Sequence, residues 1–195
     1  MLNVQNLSFS YEKKEVLRNL SFSLENGEIL AVMGPSGCGK STLLHLIAGL
    51  HHGYGGTIET DAKRIAYAFQ EPRLFPWLTV EENLRAVIAN RAISKEEILA
   101  VLSKVELKEA ANLYPSELSG GMKSRVSLAR ALLYDGDLYL LDEPFAALDD
   151  ELRDALSLRL RTKIKDRSAS AILVTHQRSD AEALADRILE LTPIS

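Results

Sequence analysis

The chain has 195 residues, of which 46% are hydrophobic and 26% are charged, and its formal net charge is −4. A hydrophobic content near the globular average can build a buried core, so the composition excludes a disordered chain. The acidic balance argues against broad electrostatic binding, and we expect no nucleic-acid partner. The only cysteine, Cys38, has no internal disulfide partner, which indicates a reducing compartment. No apolar run approaches the roughly 18 residues that span a bilayer, so work at a membrane requires another subunit.

The first third of the chain has the alternation of apolar and polar residues that predicts half-buried antiparallel strands. Two such strands are predicted at residues 4–9 and 16–24, with a turn at 12–15. The continuous apolar runs at 29–33 and 65–69 are typical of strands buried on both faces. Between them, a helix is predicted over about residues 40–50.

From residue 71 onward, the pattern changes to helices. Two capping boxes, Thr79 with Glu82 and Ser94 with Glu97, mark helix starts. Strand patterns return at residues 138–141, 171–175 and 187–191. Between the first two of these, apolar residues at Leu152, Leu156, Leu160 and Ile164 predict a helix.

Strands that alternate with helices predict an α/β fold with a mainly parallel sheet. We therefore predict one domain over residues 1–195. Its core is expected from about 1–70 and 135–195, with an antiparallel β part at the N-terminus. A mainly helical subdomain is expected at about 71–134.

Residues 34–41 match the pattern G-x-x-x-x-G-K-[ST], and they lie between a predicted strand and a predicted helix. Glycines allow backbone N–H groups to wrap around an anion, and the helix presents its positive end to the same phosphates. The lysine can reach the β- and γ-phosphates, and the serine hydroxyl can bind Mg²⁺. The pattern predicts a nucleoside triphosphate site made of Gly34, Pro35, Ser36, Gly37, Cys38, Gly39, Lys40, Ser41 and the following Thr42.

Two acids, Asp142 and Glu143, follow the apolar run at 138–141. At the carboxyl end of a central parallel strand, such side chains point into the crevice where ligands bind. We expect Asp142 to hold Mg²⁺ and Glu143 to deprotonate the attacking water. An isolated pair could be two surface acids, but the complete phosphate loop upstream makes that interpretation the weaker one.

A second glycine turn lies at residues 118–122, with the sequence LSGGM, ahead of a predicted helix. Its exposed amides, its hydroxyl and the helix N-terminus make another phosphate-binding geometry. A lone S-G-G segment is usually only a flexible cap. The order of all the motifs along the chain is therefore needed to interpret it.

Taken in order, the motifs resemble the ATP-binding subunit of ATP-binding cassette (ABC) transporters over nearly the whole chain. The resemblance rests on residues 34–41, Gln70, 118–122, 138–143, 147–149 and His176. It implies a P-loop nucleotide hydrolase fold and an ATPase that uses ATP and Mg²⁺.

The resemblance also implies individual roles. Tyr11 would stack on adenine, and Gln70 would sense the γ-phosphate and Mg²⁺ and contact a membrane subunit. His176 would contact the γ-phosphate and position the catalytic groups, and Asp149 would cross a dimer interface. In the family, the turn that corresponds to residues 118–122, called the signature, belongs to one subunit and closes on ATP held by the other. An ATP-dependent head-to-tail homodimer is therefore expected, in which the partner's ATP is served by Ser119, Gly120 and Gly121.

Two positions depart from the common family pattern. Ser124 stands where many members have glutamine, and Ala146 stands where a serine often precedes the interface aspartate. Neither change removes a group that hydrolysis requires, but the affinity of the turn at residues 118–122 for the partner's ATP could differ.

The stretch at residues 74–83 resembles the region of importers that docks the permease, in particular that of ATPases for nitrate, sulfonate or taurine uptake. We therefore expect a peripheral ATPase subunit at the cytoplasmic face of the cell membrane, driving a small solute through an integral membrane permease. One alternative is a soluble mechanical ATPase of the same superfamily. Another is a small-molecule kinase, which would not need residues 118–122 or His176. The sequence leaves the transported solute open.

Overall fold

The computed structural model describes residues 1–88 and 92–194. Residues 89–91, which belong to the predicted helical segment 71–134, and Ser195 lie outside this part. The strands are β1 (Leu2–Tyr11), β2 (Lys14–Leu24), β3 (Ile29–Met33), β4 (Gly55–Thr60), β5 (Ile65–Ala68), β6 (Leu138–Asp142), β7 (Ser170–Val174) and β8 (Arg187–Glu190). The α-helices are α1 (Lys40–Ile47), α2 (Val80–Ala86), α3 (Lys95–Lys104), α4 (Gly120–Leu133), α5 (Asp150–Asp166) and α6 (Arg178–Leu184), and two short 3-10 helices lie at Lys108–Ala110 and Pro115–Glu117.

The N-terminal sheet is antiparallel and has the order β2-β1-β4. The hairpin of β1 and β2 confirms the two predicted strands. Strand β4 was not predicted, because its sequence contains a single apolar residue, Ile58, and its side chains are mostly exposed. Backbone pairing with β1 defines this edge strand, and at Gly56 an added Cβ would lie only 2.3 Å from the Gln5 carbonyl oxygen. The main chains therefore approach too closely there for any residue but glycine.

The second sheet is parallel and has the order β5-β6-β7-β3-β8. This confirms the α/β prediction, and the observed strands differ from the predicted ones by no more than one residue at their ends. All five strands run in one direction, so the segments that follow β3, β5, β6 and β7 emerge at the same edge. This topology brings together motifs that are up to about 140 residues apart in the sequence.

The central strands are apolar throughout because each face of the parallel sheet packs against a different core. On β6, Leu141 contacts the core formed with α2–α5, whereas Leu140 contacts the core formed with α1 and the N-terminal sheet. Alternate residues of a strand point to opposite faces, so both sets must be apolar. The edge of the sheet at which the motifs meet therefore lies between these two cores.

The helices between β5 and β6 begin where the sequence predicts. Thr79 and Ser94 each accept a hydrogen bond from the backbone of the glutamate three residues later, and both capping boxes are complete.

Helix α1 ends at Ile47, three residues before the predicted end. The division of the chain into a core and a helical subdomain stays a prediction. No helix in the described part combines the length and apolar character needed to cross a membrane.

Candidate active site

A cleft of about 370 Å³ lies at the carboxyl edge of the parallel sheet. It brings together predicted site residues from the end of β1, the phosphate loop, the segment after β5 and the end of β6. Its lining consists of Tyr11, Lys14, Val16, Ser36, Gly37, Gly39, Lys40, Ser41, Thr42, Gln70, Asp142, Glu143 and Val174. Sequence reasoning missed three of these, Lys14, Val16 and Val174. No motif marks them, and they reach the cleft only because β2 begins, and β7 ends, beside the phosphate loop.

The loop between β3 and α1 owes its shape to glycines that no other residue can replace. Gly34 has φ +151°, and an added Cβ would lie 2.3 Å from the Leu191 carbonyl oxygen. Gly39 has φ +101° and packs against Leu17 and Val16. The described first turn of α1 contains no acid, so the positive end of the helix dipole is not neutralised locally. The loop and helix therefore form a positive cradle for an anion.

Lys40 lies over this cradle and is tied to the loop. Its ammonium group donates hydrogen bonds to the carbonyl oxygens of Gly34, at 2.8 Å, and Pro35, at 2.9 Å. An ammonium group carries three donors and one full charge. It can therefore contact phosphate oxygens that enter the cleft.

Asp142, the last residue of β6, is only 3% exposed, and its Oδ1 atom has no hydrogen-bond partner among the described residues. Burial raises the pKa of this carboxyl, and the neighbouring charge of Glu143 acts in the same direction. The neighbouring Ser41 hydroxyl and the charge of Lys40 oppose that shift. An unsatisfied buried carboxylate oxygen beside a hydroxyl is a donor set that suits a small hard cation.

Glu143 follows directly in a strained backbone conformation. Its φ of +51° lies in the left-handed region, which costs a non-glycine residue about 1 kcal/mol or more. Its amide donates to the Val174 carbonyl at 3.0 Å, and its Oε2 atom lies 2.9 Å from Nδ1 of His176. The strained turn aims the Glu143 carboxylate into the cleft and brings it against His176, which follows β7.

Gln70 and Tyr11 line the outer part of the cleft. Gln70 is exposed after β5, as the sequence predicts. Tyr11 is 43% exposed, and its hydroxyl lies 2.9 Å from Nε2 of His51. Since this partner lies 40 residues away and belongs to no motif, sequence reasoning did not connect it with the site.

Not every predicted loop residue presents its side chain to the cleft. Gly34, Pro35 and Cys38 are absent from the lining described above. Cys38 is 3% exposed and packs into the apolar core beneath the loop. Its thiol therefore cannot contact a ligand in the cleft, and any contribution comes from its backbone.

The second glycine turn and Asp149 lie outside the cleft as helix caps. Ser119 Oγ accepts from the Met122 amide at 3.3 Å, and Asp149 Oδ1 accepts from the Leu152 amide at 3.0 Å. The Ser124 hydroxyl donates to the Gly120 carbonyl at 3.2 Å, so it stiffens the same turn. Within one chain, these residues stabilise the starts of α4 and α5 and do not contact the cleft. The individual site roles stay predictions.

A glycine-rich phosphate loop after β3, together with an acid pair at the end of β6 in the same parallel sheet, defines a P-loop nucleotide hydrolase. The sequence pattern of the ABC transporter family matches residues 17–146. The chain therefore belongs to the ABC transporter family, as an ATP-binding subunit with ATPase activity.

Relatives agree with this assignment. The chain is 43% identical over 189 residues to the aliphatic sulfonates import ATP-binding protein SsuB 1 of Agrobacterium fabrum, covering 95% of this chain and 68% of that protein. It is 44% identical over 188 residues to SsuB of Bacillus licheniformis, covering 92% and 74% respectively.

Solved structures support the same fold. A bacterial ABC transporter cassette in dimeric form matches with a TM-score of 0.89 and 30% identity, covering 98% of this chain and 94% of that one. The dimeric post-hydrolysis state of an ATP-binding cassette, bound to ADP and Pi, matches with a TM-score of 0.87, again at 30% identity and with the same coverage.

Proposed function

We propose that this chain is the ATPase subunit of an importer and works at the cytoplasmic face of the cell membrane with an integral membrane permease. The import direction and a small organic sulfonate as cargo follow the names of the relatives above. The observation that carries the proposal is an exposed aromatic pair shortly after Gln70 in the sequence. Trp77 is 69% exposed and Phe75 is 39% exposed, and their ring centroids are 5.7 Å apart.

This aromatic pair stands on a rigid turn. Asn83, which is 1% exposed, accepts from the Phe75 amide and donates to the carbonyls of Phe75, Leu78 and Thr79, all within 3.1 Å. A preorganised turn that presents large aromatic side chains is a typical anchor for a protein partner. Because the turn follows Gln70 closely along the chain, a permease contact there can affect the cleft.

The permease contact can be tested with Trp77→Glu in the intact transporter. A buried charge in place of an aromatic anchor should reduce recovery of the permease with the tagged chain by about tenfold or more. ATP binding by the isolated chain should not change. The matched control is Leu158→Glu on α5. Leu158 is also a large exposed apolar residue, at 66%, and it lies far along the sequence from the turn.

Recovery is measured by affinity purification from solubilised membranes, with identification of the integral membrane protein retained. If Trp77→Glu retains as much permease as the wild type, the docking role is wrong. If the wild-type chain retains no integral membrane protein, the soluble mechanical ATPase becomes the better interpretation.

We propose that Mg²⁺ accompanies ATP and is held by Asp142, Ser41 and Gln70. The Oδ1 atom of Asp142, which has no hydrogen-bond partner among residues 1–88 and 92–194, and the neighbouring Ser41 hydroxyl fit that ion. When bound, Mg²⁺ neutralises charge on the β- and γ-phosphates. In the hydrolysis step, Lys40 stabilises the charge of the transferred phosphoryl group, and Glu143 accepts the proton of the attacking water. His176 orients the Glu143 carboxylate.

Asp142→Asn tests the metal site independently of catalysis. Without nucleotide, the variant should unfold at a higher urea concentration than the wild type, because a neutral amide avoids the cost of a buried, partly unsatisfied carboxylate. ATP alone should stabilise both proteins, but Mg²⁺ added with ATP should stabilise only the wild type further. Thermal unfolding with and without Mg²⁺ measures this, and equal Mg²⁺ effects in both proteins would remove Asp142 from the metal site.

We also propose that ATP brings two copies of this chain together head to tail. Gly120 and Gly121 support this, since neither has a positive φ. Among the residues that the structure describes, a Cβ on Gly120 would meet no atom within 4 Å, and one on Gly121 would make an ordinary contact with Ala147. Glycine costs a helix about 1 kcal/mol relative to alanine, so two glycines without a reason inside the chain point to close approach of an outside group. Phosphates of the partner's ATP are that group.

A further inference from the structure

A charged pair outside the cleft, Arg153 on α5 and Asp180 on α6, is not explained by the mechanism above. The Arg153 side chain is 16% exposed and that of Asp180 is 5% exposed. Arg153 Nε and Asp180 Oδ1 lie 3.7 Å apart, and neither has a hydrogen-bond partner in the described part of the chain. Burial raises the pKa of Asp180, so its ionised form is costly here. Stability alone is a weak reason to keep such a pair.

On one side, the guanidinium group of Arg153 holds the segment at residues 148–150. Its Nη2 donates to the Leu148 carbonyl at 2.9 Å, and its Nη1 donates to Asp150 Oδ1 at 2.5 Å. These two contacts flank Asp149, the residue that the proposed dimer places at the partner. A planar guanidinium can satisfy several acceptors at once, whereas an ammonium acts as a point charge.

On the other side, Asp180 holds the turn that carries His176. Thr175, which is 1% exposed, donates from Oγ1 to Asp180 Oδ2 at 3.1 Å, and the same Oγ1 accepts from the Gln177 amide at 3.1 Å. These bonds constrain the backbone on both sides of His176. His176 Nδ1 lies 2.9 Å from Glu143 Oε2, so a constraint on the His176 backbone also limits where the Glu143 carboxylate can lie in the cleft.

We propose that Arg153 and Asp180 are positioning residues that couple the 148–150 segment to His176, so that the placement of Asp149 determines how His176 holds Glu143. The inference rests on the proposed role of His176 in hydrolysis. A shift of about 1 Å brings Arg153 Nε and Asp180 Oδ1 within hydrogen-bond range. The pair can therefore tighten when a partner contacts Asp149.

The first test is Arg153→Gln, with Asp180→Asn as its counterpart. Each should lower kcat by about 10- to 100-fold, the usual effect of misplacing a catalytic group by about 1 Å. KM for ATP should stay near the wild-type value, because neither residue lines the cleft. The matched control is Arg161→Gln, which removes another α5 arginine, paired with Asp186 at 2.9 Å. Its kcat should equal that of the wild type.

Arg153→Lys is a second test of the proposal that still applies if Arg153→Gln does not fold. It keeps the charge but cannot contact Leu148, Asp150 and Asp180 at once, so kcat should lie between the wild-type and Arg153→Gln values. Circular dichroism and urea unfolding establish that each variant is folded. If all folded variants retain wild-type kcat, or if KM rises while kcat stays constant, the proposal is overturned.

A double-mutant cycle with His176→Ala shows whether the pair acts through His176. Single-turnover hydrolysis of His176→Ala should not fall further when Arg153→Gln is added, because both changes break the same chain of contacts. If the losses of hydrolysis rate in the two single variants multiply in the double variant, the proposal is overturned. If His176→Ala alone retains wild-type activity, the role of His176 in the proposed function fails. If His176→Ala is impaired while Arg153→Gln and Asp180→Asn are not, only the coupling fails.

Discussion

Replacing Glu143 with glutamine should lower ATP hydrolysis by about 10²–10⁴-fold while ATP binding survives. Glutamine keeps the size of the side chain and can still contact His176, 2.9 Å away in the wild type, but it cannot accept the proton of water. Steady-state phosphate release and nucleotide binding measure the two effects separately. Hydrolysis within about twofold of the wild type would remove Glu143 from the role of general base.

The same variant should be monomeric without nucleotide and dimeric with ATP. The substitution removes a like charge near the γ-phosphate, and it blocks the step that would open the dimer. Size-exclusion chromatography with light scattering measures the mass. An unchanged monomer in saturating ATP would contradict the shared site.

Adding Ser119→Arg to Glu143→Gln should abolish the dimer and leave ATP binding by the monomer largely intact. Ser119 caps α4 outside the cleft of its own chain, so a bulky side chain there obstructs only a partner. The control is Ser94→Arg, which replaces the cap of a different helix and should not affect the dimer. Loss of monomer binding in Ser119→Arg would indicate a self-contained hydrolase.

Lys40→Ala should nearly abolish hydrolysis, with a loss of about 10³-fold or more, because charge stabilisation supplies most of phosphoryl-transfer catalysis. The fold should persist, since in the described part of the chain the hydrogen bonds of the Lys40 ammonium go to carbonyl groups of its own loop, at Gly34 and Pro35. ATP turnover and circular dichroism are measured together.

The matched control for Lys40→Ala is Lys14→Ala, which removes another lysine that lines the cleft. Lys14 lies on β2 and outside the phosphate loop, so we expect only a small change in turnover. Normal turnover in folded Lys40→Ala would exclude the phosphate-loop assignment. Equal losses in both variants would indicate a general charge effect at the cleft.

The local chemistry of the site could be predicted from sequence because each motif is a short run of neighbouring residues. Residues 34–41 combine glycines, lysine and serine in an order that only anion binding explains well, and the apolar run ahead of Asp142 marks the end of a buried strand. Helix starts at Thr79 and Ser94 were predictable for the same reason, since a capping box spans four residues.

Contacts between distant segments could not be predicted in this way. The edge strand β4 has almost no apolar pattern, and backbone pairing with β1 alone defines it. Sequence placed Cys38 among the ligand-binding residues, but the close packing beneath the loop buries its thiol. The left-handed turn at Glu143 and its contact with His176 depend on how β6 and β7 lie side by side.

By itself, the sequence determined the class of fold, the phosphate loop and the acids of this ATPase, because those features depend on residue type and short spacing. Only the tertiary structure decided which side chains share the cleft, which ones cap helices outside it, and how Arg153 and Asp180 connect the 148–150 segment to His176. The physical reason is that the parallel sheet brings distant strand ends to one edge. Burial and hydrogen bonding there depend on neighbours that local sequence does not specify.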